Sequence, residues 1–193
     1  MNAKRSQCEA CQRPPQRCLC AYIEPTDNYC PIVLLQHPKE HGHPKNTGEL
    51  LVRSLSNATL LQGEQFTPQS LSPWLQGAAL LYPTEPNDNG STTRQIPYTQ
   101  PPSCLIVLDA TWRKSHKMLQ LNPALQRLPR LALTAQYSSL YRIRSARDQH
   151  QLSTLEASCY ALQQIESNSD KYRPLLEQFA QYMTHLADFD PNR

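Results

Sequence analysis

Cys104-Leu105-Ile106-Val107-Leu108-Asp109-Ala110-Thr111-Trp112-Arg113-Lys114 is the stretch that decides how this 193-residue chain is read. Its apolar run, bounded by turn residues, has the length and β-branched content of a strand buried on both faces. After Asp109 the pattern turns at once into a basic helix, from about Thr111 to Leu121, which Asn122-Pro123 ends. In an open α/β sheet, ligands gather beyond the carboxyl ends of the strands, and Asp109 falls at such a point. A second reading of the same residues makes Asp109 a helix N-cap and Trp112 a core residue.

Working outward, Ile32–Gln36, Ala78–Tyr82 and Leu131–Leu133 read as further strands. Asn46 with Glu49, and Ser153 with Glu156, have the spacing of capping boxes. The first opens a helix expected from about Thr47 to Leu60, carried by Leu51, Leu55 and Ala58 at helical spacing. The second opens a helix to about Ile165, and Leu175, Phe179, Met183 and Leu186 mark a last amphipathic helix. Between Pro83 and Pro102 the chain is too rich in Pro, Asn, Asp and Thr for a regular element. Strands alternating with helices predict an α/β fold, a largely parallel sheet flanked by helices. Two units are expected: a polar, cysteine-bearing head over residues 1–30 and an α/β domain over residues 31–193.

The composition narrows the class further. Hydrophobic residues make up 39% of the chain and fall in short blocks, none near the roughly 20 residues of a membrane span. The polar N-terminus shows no apolar signal segment, so the cytoplasm is the expected location, and nothing calls for an obligate protein partner. Residues 1–150 carry 16 Lys+Arg against 10 Asp+Glu, whereas residues 151–193 carry 3 against 6. A basic body suits a polyanionic partner.

Of seven cysteines, four stand within the first 20 residues as Cys8-x-x-Cys11 and Cys18-x-Cys20. That clustering opposes a disulfide framework and predicts a tetrahedral Zn²⁺ site, structural because four thiolates leave no open position; four free thiols are the alternative. His37 to Thr47, a polar loop with three histidines and Glu40, reads as a structural or substrate-contacting loop rather than a second metal centre. Tyr137 to Thr154 interleaves Tyr137 and Tyr141 with Arg142, Arg144, Arg147 and His150, a mixture suited to phosphates and unpaired bases.

Five elements in order resemble the DTW-domain family, the tRNA-uridine aminocarboxypropyltransferases, over nearly the whole chain. They are the cysteine head with Arg13-Pro14; His37-Pro38-x-Glu40 with Asn46-Thr47; Tyr82-Pro83-x-Glu85; Asp109-x-Thr111-Trp112; and Ser153-Thr154-Leu155-Glu156-Ala157. The resemblance implies a SPOUT-like fold with a C-terminal trefoil knot, which the spacing itself does not show. It implies S-adenosylmethionine as co-substrate, bound by Tyr82 and Pro83, the Asp109, Thr111 and Trp112 turn, and Leu152, Ser153 and Thr154. It also implies Asp109, Thr111 and Trp112 as catalytic residues and transfer of a 3-amino-3-carboxypropyl group to the ring N3 of a tRNA uridine. Asp109 is then expected either to take the N3 proton or to hold the donor's ammonium group. Contacts to tRNA are expected from Arg13, Arg17, Lys45, Arg53, Arg113, Lys114, Arg142, Arg144 and Arg147. Two other functions fit the same residues: an S-adenosylmethionine-dependent RNA methyltransferase, and a zinc-containing RNA-binding protein without catalysis.

Overall fold

The computed structural model of the chain describes residues 7–43, 46–83, 101–133, 137 and 152–189. Five strands form one sheet: β1 (Ile32–Gln36), β2 (Ala58–Gln62), β3 (Ala79–Leu81), β4 (Leu105–Asp109) and β5 (Arg130–Leu131). They lie in the order β2-β1-β4-β3-β5, and every pairing is parallel. Helices fill the crossovers: α1 (Gly48–Ser54), α2 (Pro68–Leu75), α3 (Trp112–Leu121) and α4 (Pro123–Gln126). Two more, α5 (Thr154–Ile165) and α6 (Arg173–Asp188), follow the sheet.

Alternating side chains explain why β1 and β4 are apolar up to their last residues, Gln36 and Asp109. Ile32, Leu34, Leu105 and Val107 face a core closed by α1, α5 and α6. Val33, Leu35, Ile106 and Leu108 face the opposite core, closed by residues of α2, α3 and α4. A parallel sheet covered on both faces demands such continuous hydrophobic runs.

The expected helix over 47–60 is corrected. α1 stops at Ser54, and residues 58–62 form β2, paired in register with β1 from Ile32↔Ala58 to Gln36↔Gln62. The turn between them is locked from outside: Asn57 N–H donates to Asn28 Oδ1 (2.8 Å), and Asn57 Nδ2 donates to the Asn28 carbonyl (2.6 Å). Pairing with a long-range neighbour overrides the local 3.6-residue spacing. The strand expected at Leu131–Leu133 is Arg130–Leu131, and α2 lies in a stretch from which sequence periodicity gave no element. The expected knot is not shown by the described residues, which leave out 84–100, 134–136 and 138–151.

Cys11 and Leu19 belong to the same apolar cluster as Leu50, Phe179 and Tyr182. Among the described residues no helix is long and apolar enough to cross a membrane.

Candidate functional site

At the carboxyl edge of β3, β4 and β5 the sheet opens into a cavity of about 400 Å³. Val107 and Leu131 form part of an apolar floor, the segment leading into α5 forms one wall, and the start of α3 forms the lip. Tyr82, Pro83, Trp112, Leu152, Ser153 and Thr154, from three separate segments, all line it. Trp112 is 54% exposed and belongs to neither core. Its ring meets Tyr82 edge-on at 6.0 Å, and the Arg130 guanidinium lies 5.3 Å from the Tyr82 ring centroid. Thr111 caps α3 through its backbone, with its carbonyl accepting from Ser115 N–H (2.8 Å), and does not line the cavity.

Asp109 stands one residue back from the cavity, only 4% exposed. Its Oδ2 accepts from Gln36 Nε2 (2.9 Å) and Asn46 Nδ2 (2.8 Å), and its Oδ1 accepts from Thr154 Oγ1 (2.7 Å). A buried carboxylate is tolerated only when hydrogen-bonded in this way. The three donors come from the end of β1, the turn before α1 and the first residue of α5, so Asp109 ties three elements together at the sheet edge. Gly48 makes room for it: a Cβ there would collide with Asp109 Oδ2 and lie 2.7 Å from Leu34 Cδ2. Sequence reading gave Gln36 and Gly48 no part in the site. The available signal was a polar residue closing an otherwise apolar strand.

α5 opens with a complete capping box: Ser153 Oγ accepts from Glu156 N–H (3.2 Å) and Glu156 Oε2 accepts from Ser153 N–H (2.8 Å). The Thr154 N–H has no acceptor among the described residues. It belongs to the positive end of a 12-residue helix, and Thr154 lines the cavity.

Tetrahedral thiolates about 2.3 Å from a zinc-sized ion stand about 3.8 Å apart. Cys8 and Cys20 sulfurs are 3.8 Å apart, as are those of Cys11 and Cys18, and all four lie within 4.8 Å of one another. Disulfides need about 2.05 Å, so these are free thiols gathered as a ligand set able to hold a metal ion. Backbone amides of Cys11 and Ala10 lower the Cys8 thiol to about 6, whereas burial pushes Cys20 up to about 12.

The expected RNA contacts divide. Arg13 is corrected: it is 5% exposed, donating to Glu49 Oε2 (Nη2, 2.9 Å) and to Tyr182 Oη (Nη1, 2.9 Å), and presents nothing to a phosphate. Arg53 donates to Glu49 Oε1 and the Ala10 carbonyl, and Lys114 pairs with Glu40 at 2.5 Å. Tyr137, expected among base-stacking residues, is stacked on Tyr160 with ring centroids 4.0 Å apart. Arg113 is exposed beside Trp112, and Arg17 is half-buried. Lys45, Arg142, Arg144 and Arg147 lie outside the described residues, as do Tyr141 and His150. In the 37–47 loop, His37 Nδ1 accepts from Lys39 N–H (3.1 Å), and its Nε2 is 3.3 Å from Glu64 Oε1.

The fold is thus of the α/β class, with a doubly covered parallel sheet, a ligand-sized, largely apolar cavity at its carboxyl edge, and a cluster of four thiols able to hold a metal ion. Residues 5–187 match the DTW domain, and the chain belongs to that family. Similar curated proteins include tRNA-uridine aminocarboxypropyltransferase 2 of Drosophila melanogaster, 30% identical over 183 residues covering 90% of this chain and 72% of the relative. tRNA-uridine aminocarboxypropyltransferase A of Arabidopsis thaliana is 30% identical over 144 residues, 64% of this chain and 54% of the relative. The Mus musculus tRNA-uridine aminocarboxypropyltransferase 2 is 30% identical over 178 residues, 86% of this chain and 58% of the relative. The chain thus spans little more than half the length of the plant and mouse relatives. No solved structure matches it.

Proposed function

We propose that the chain is a tRNA-uridine aminocarboxypropyltransferase with S-adenosylmethionine as donor. The observation that carries this reading is the convergence of Tyr82-Pro83, Trp112 and Leu152 to Thr154 on one cavity, in a chain of the DTW family. In the reaction, the uridine N3 bonds to the donor carbon next to the sulfonium as that carbon–sulfur bond breaks. Methylthioadenosine leaves, and the N3 proton passes to solvent.

No carboxylate, histidine or lysine lines the cavity among the described residues, so these side chains act by placing the reactants rather than by moving the proton. The Thr154 amide, which has no acceptor among the described residues, lies at the positive end of α5 and suits the donor's carboxylate. Val107 and Leu131 exclude water from the nucleoside, and the Trp112 and Tyr82 rings form the lip through which the acceptor base arrives. With three donors on its carboxylate, Asp109 is a positioning residue that fixes Thr154 and the α5 terminus. Arg113 and Arg17 remain as candidate phosphate contacts. Zinc is the metal proposed for Cys8, Cys11, Cys18 and Cys20, with a structural role.

The test is mass spectrometry of nucleosides from unmodified tRNA incubated with the protein and S-adenosylmethionine. A 3-amino-3-carboxypropyl uridine with released methylthioadenosine is the expected result. A methylated nucleoside would replace the transfer with methyl chemistry, and unchanged tRNA that still binds would favour a non-catalytic RNA-binding protein.

A further inference from the structure

The first turn of α1 lies between two centres that the sequence keeps apart. On one side, Asn46 donates to Asp109 Oδ2, Gly48 packs against the same carboxylate, and Thr47 Oγ1 accepts from Leu155 N–H (3.4 Å) in the first turn of α5. On the other, Glu49 receives Arg13 through Nε (3.2 Å) and Nη2 (2.9 Å). Arg13 sits in the loop between Cys11 and Cys18, and its remaining arm is held by Tyr182, whose hydroxyl donates to the Arg17 carbonyl (3.0 Å). Arg53 adds a second tie, bridging Glu49 Oε1 to the Ala10 carbonyl (3.0 Å) between the first two cysteines. Glu49 closes the circuit: its N–H donates to Asn46 Oδ1 (3.1 Å), the amide that holds Asp109.

From these contacts we infer that the four-cysteine head is a positioning element for the cavity, acting through Arg13 and Glu49 on the first turn of α1. A head that merely capped the fold would need only its apolar residues, Cys11 and Leu19, which already pack into the core. Instead its loop is fixed by charge-assisted bonds from two Arg13 nitrogens converging on Glu49 Oε2, with Nη1 held by Tyr182, so that the guanidinium is oriented by two partners at once. With the metal ordering residues 8–20, Arg13 holds Glu49; Glu49 and Asn46 set the carboxylate of Asp109; and Asp109 sets Thr154 at the cavity wall. The inference rests on the proposed donor site only in its last step.

Amide hydrogen exchange on the zinc-loaded full chain tests it, before and after chelation and in Arg13→Lys and Glu49→Gln, which leave all four thiols in place. Residues 46–51 and 152–157 are expected to exchange about tenfold faster in each case, with β1 and β4 keeping their protection, and affinity for S-adenosylmethionine falling by a similar factor. Arg173→Ala, in an exposed pair with Glu177 on α6, serves as the unaffected control. Faster exchange confined to residues 7–20, or spread evenly over the sheet, overturns the coupling. Zinc-loaded wild-type protein that fails to bind S-adenosylmethionine would instead sink the proposed donor, while the exchange pattern still decides whether head and cavity wall are linked.

Discussion

α1 and α5 open with the same sequence signal, a short polar cap followed three residues later by glutamate, yet the two glutamates do different things. Glu156 turns back to its own cap and completes the box. Glu49 turns away to Arg13 and Arg53. The expected box is corrected: α1 is capped at Thr47 without a side-chain cap bond, and Asn46, one residue earlier, accepts from Glu49 N–H. The polar residues at the two starts differ too: the Ser153 hydroxyl caps its helix, whereas the Asn46 side chain, one residue before the cap Thr47, accepts from Glu49 N–H and donates to a buried carboxylate. A capping box whose glutamate is diverted marks a helix start used as a joint between distant parts of the chain.

The strongest way to break this comparison is Gly48→Ala. The added methyl has no room between Asp109 and Leu34, so a loss of about 3 kcal/mol is expected in denaturant unfolding. Asn46→Ala against Ser153→Ala sharpens it. Ser153→Ala removes a helix cap, about 1 kcal/mol, while Asn46→Ala removes the acceptor of Glu49 N–H and a donor to a buried carboxylate, about 2–3 kcal/mol in the same experiment. Equal losses would mean that Asn46 acts only on the start of its own helix. Smallest in stability is Trp112→Ala: with its ring 54% exposed, unfolding should shift by no more than about 0.5 kcal/mol. The same variant should show a clear loss of tRNA modification at unchanged melting temperature.

What the sequence disclosed follows from what is local. β1 and β4 were legible because both faces are buried and every residue but the last is apolar. The start of α5 was legible because its capping box is self-contained. β2 was not, since it is a half-buried edge strand whose identity depends on pairing with β1. The gathering of Tyr82, Trp112 and Thr154 at one place was expected only through the family resemblance; no spacing in the chain announces it. Arg13 was misread because a basic residue beside cysteines looks the same whether it faces phosphate or a buried glutamate. Only the position of Glu49, 36 residues on, separates the two.

The Asp109 junction also sets an order of events during synthesis of the chain. Gln36 precedes Asp109 by 73 residues, and Thr154 follows it by 45. β4 cannot be seated between β1 and β3 with its terminal carboxylate satisfied until residue 154 has emerged, because Thr154 supplies the donor to Oδ1. Such distant pairings are slow to close. The edge of the sheet and the wall of its cavity are therefore completed together, and a fragment ending short of α5 would leave the Asp109 carboxylate with the Gln36 and Asn46 donors alone.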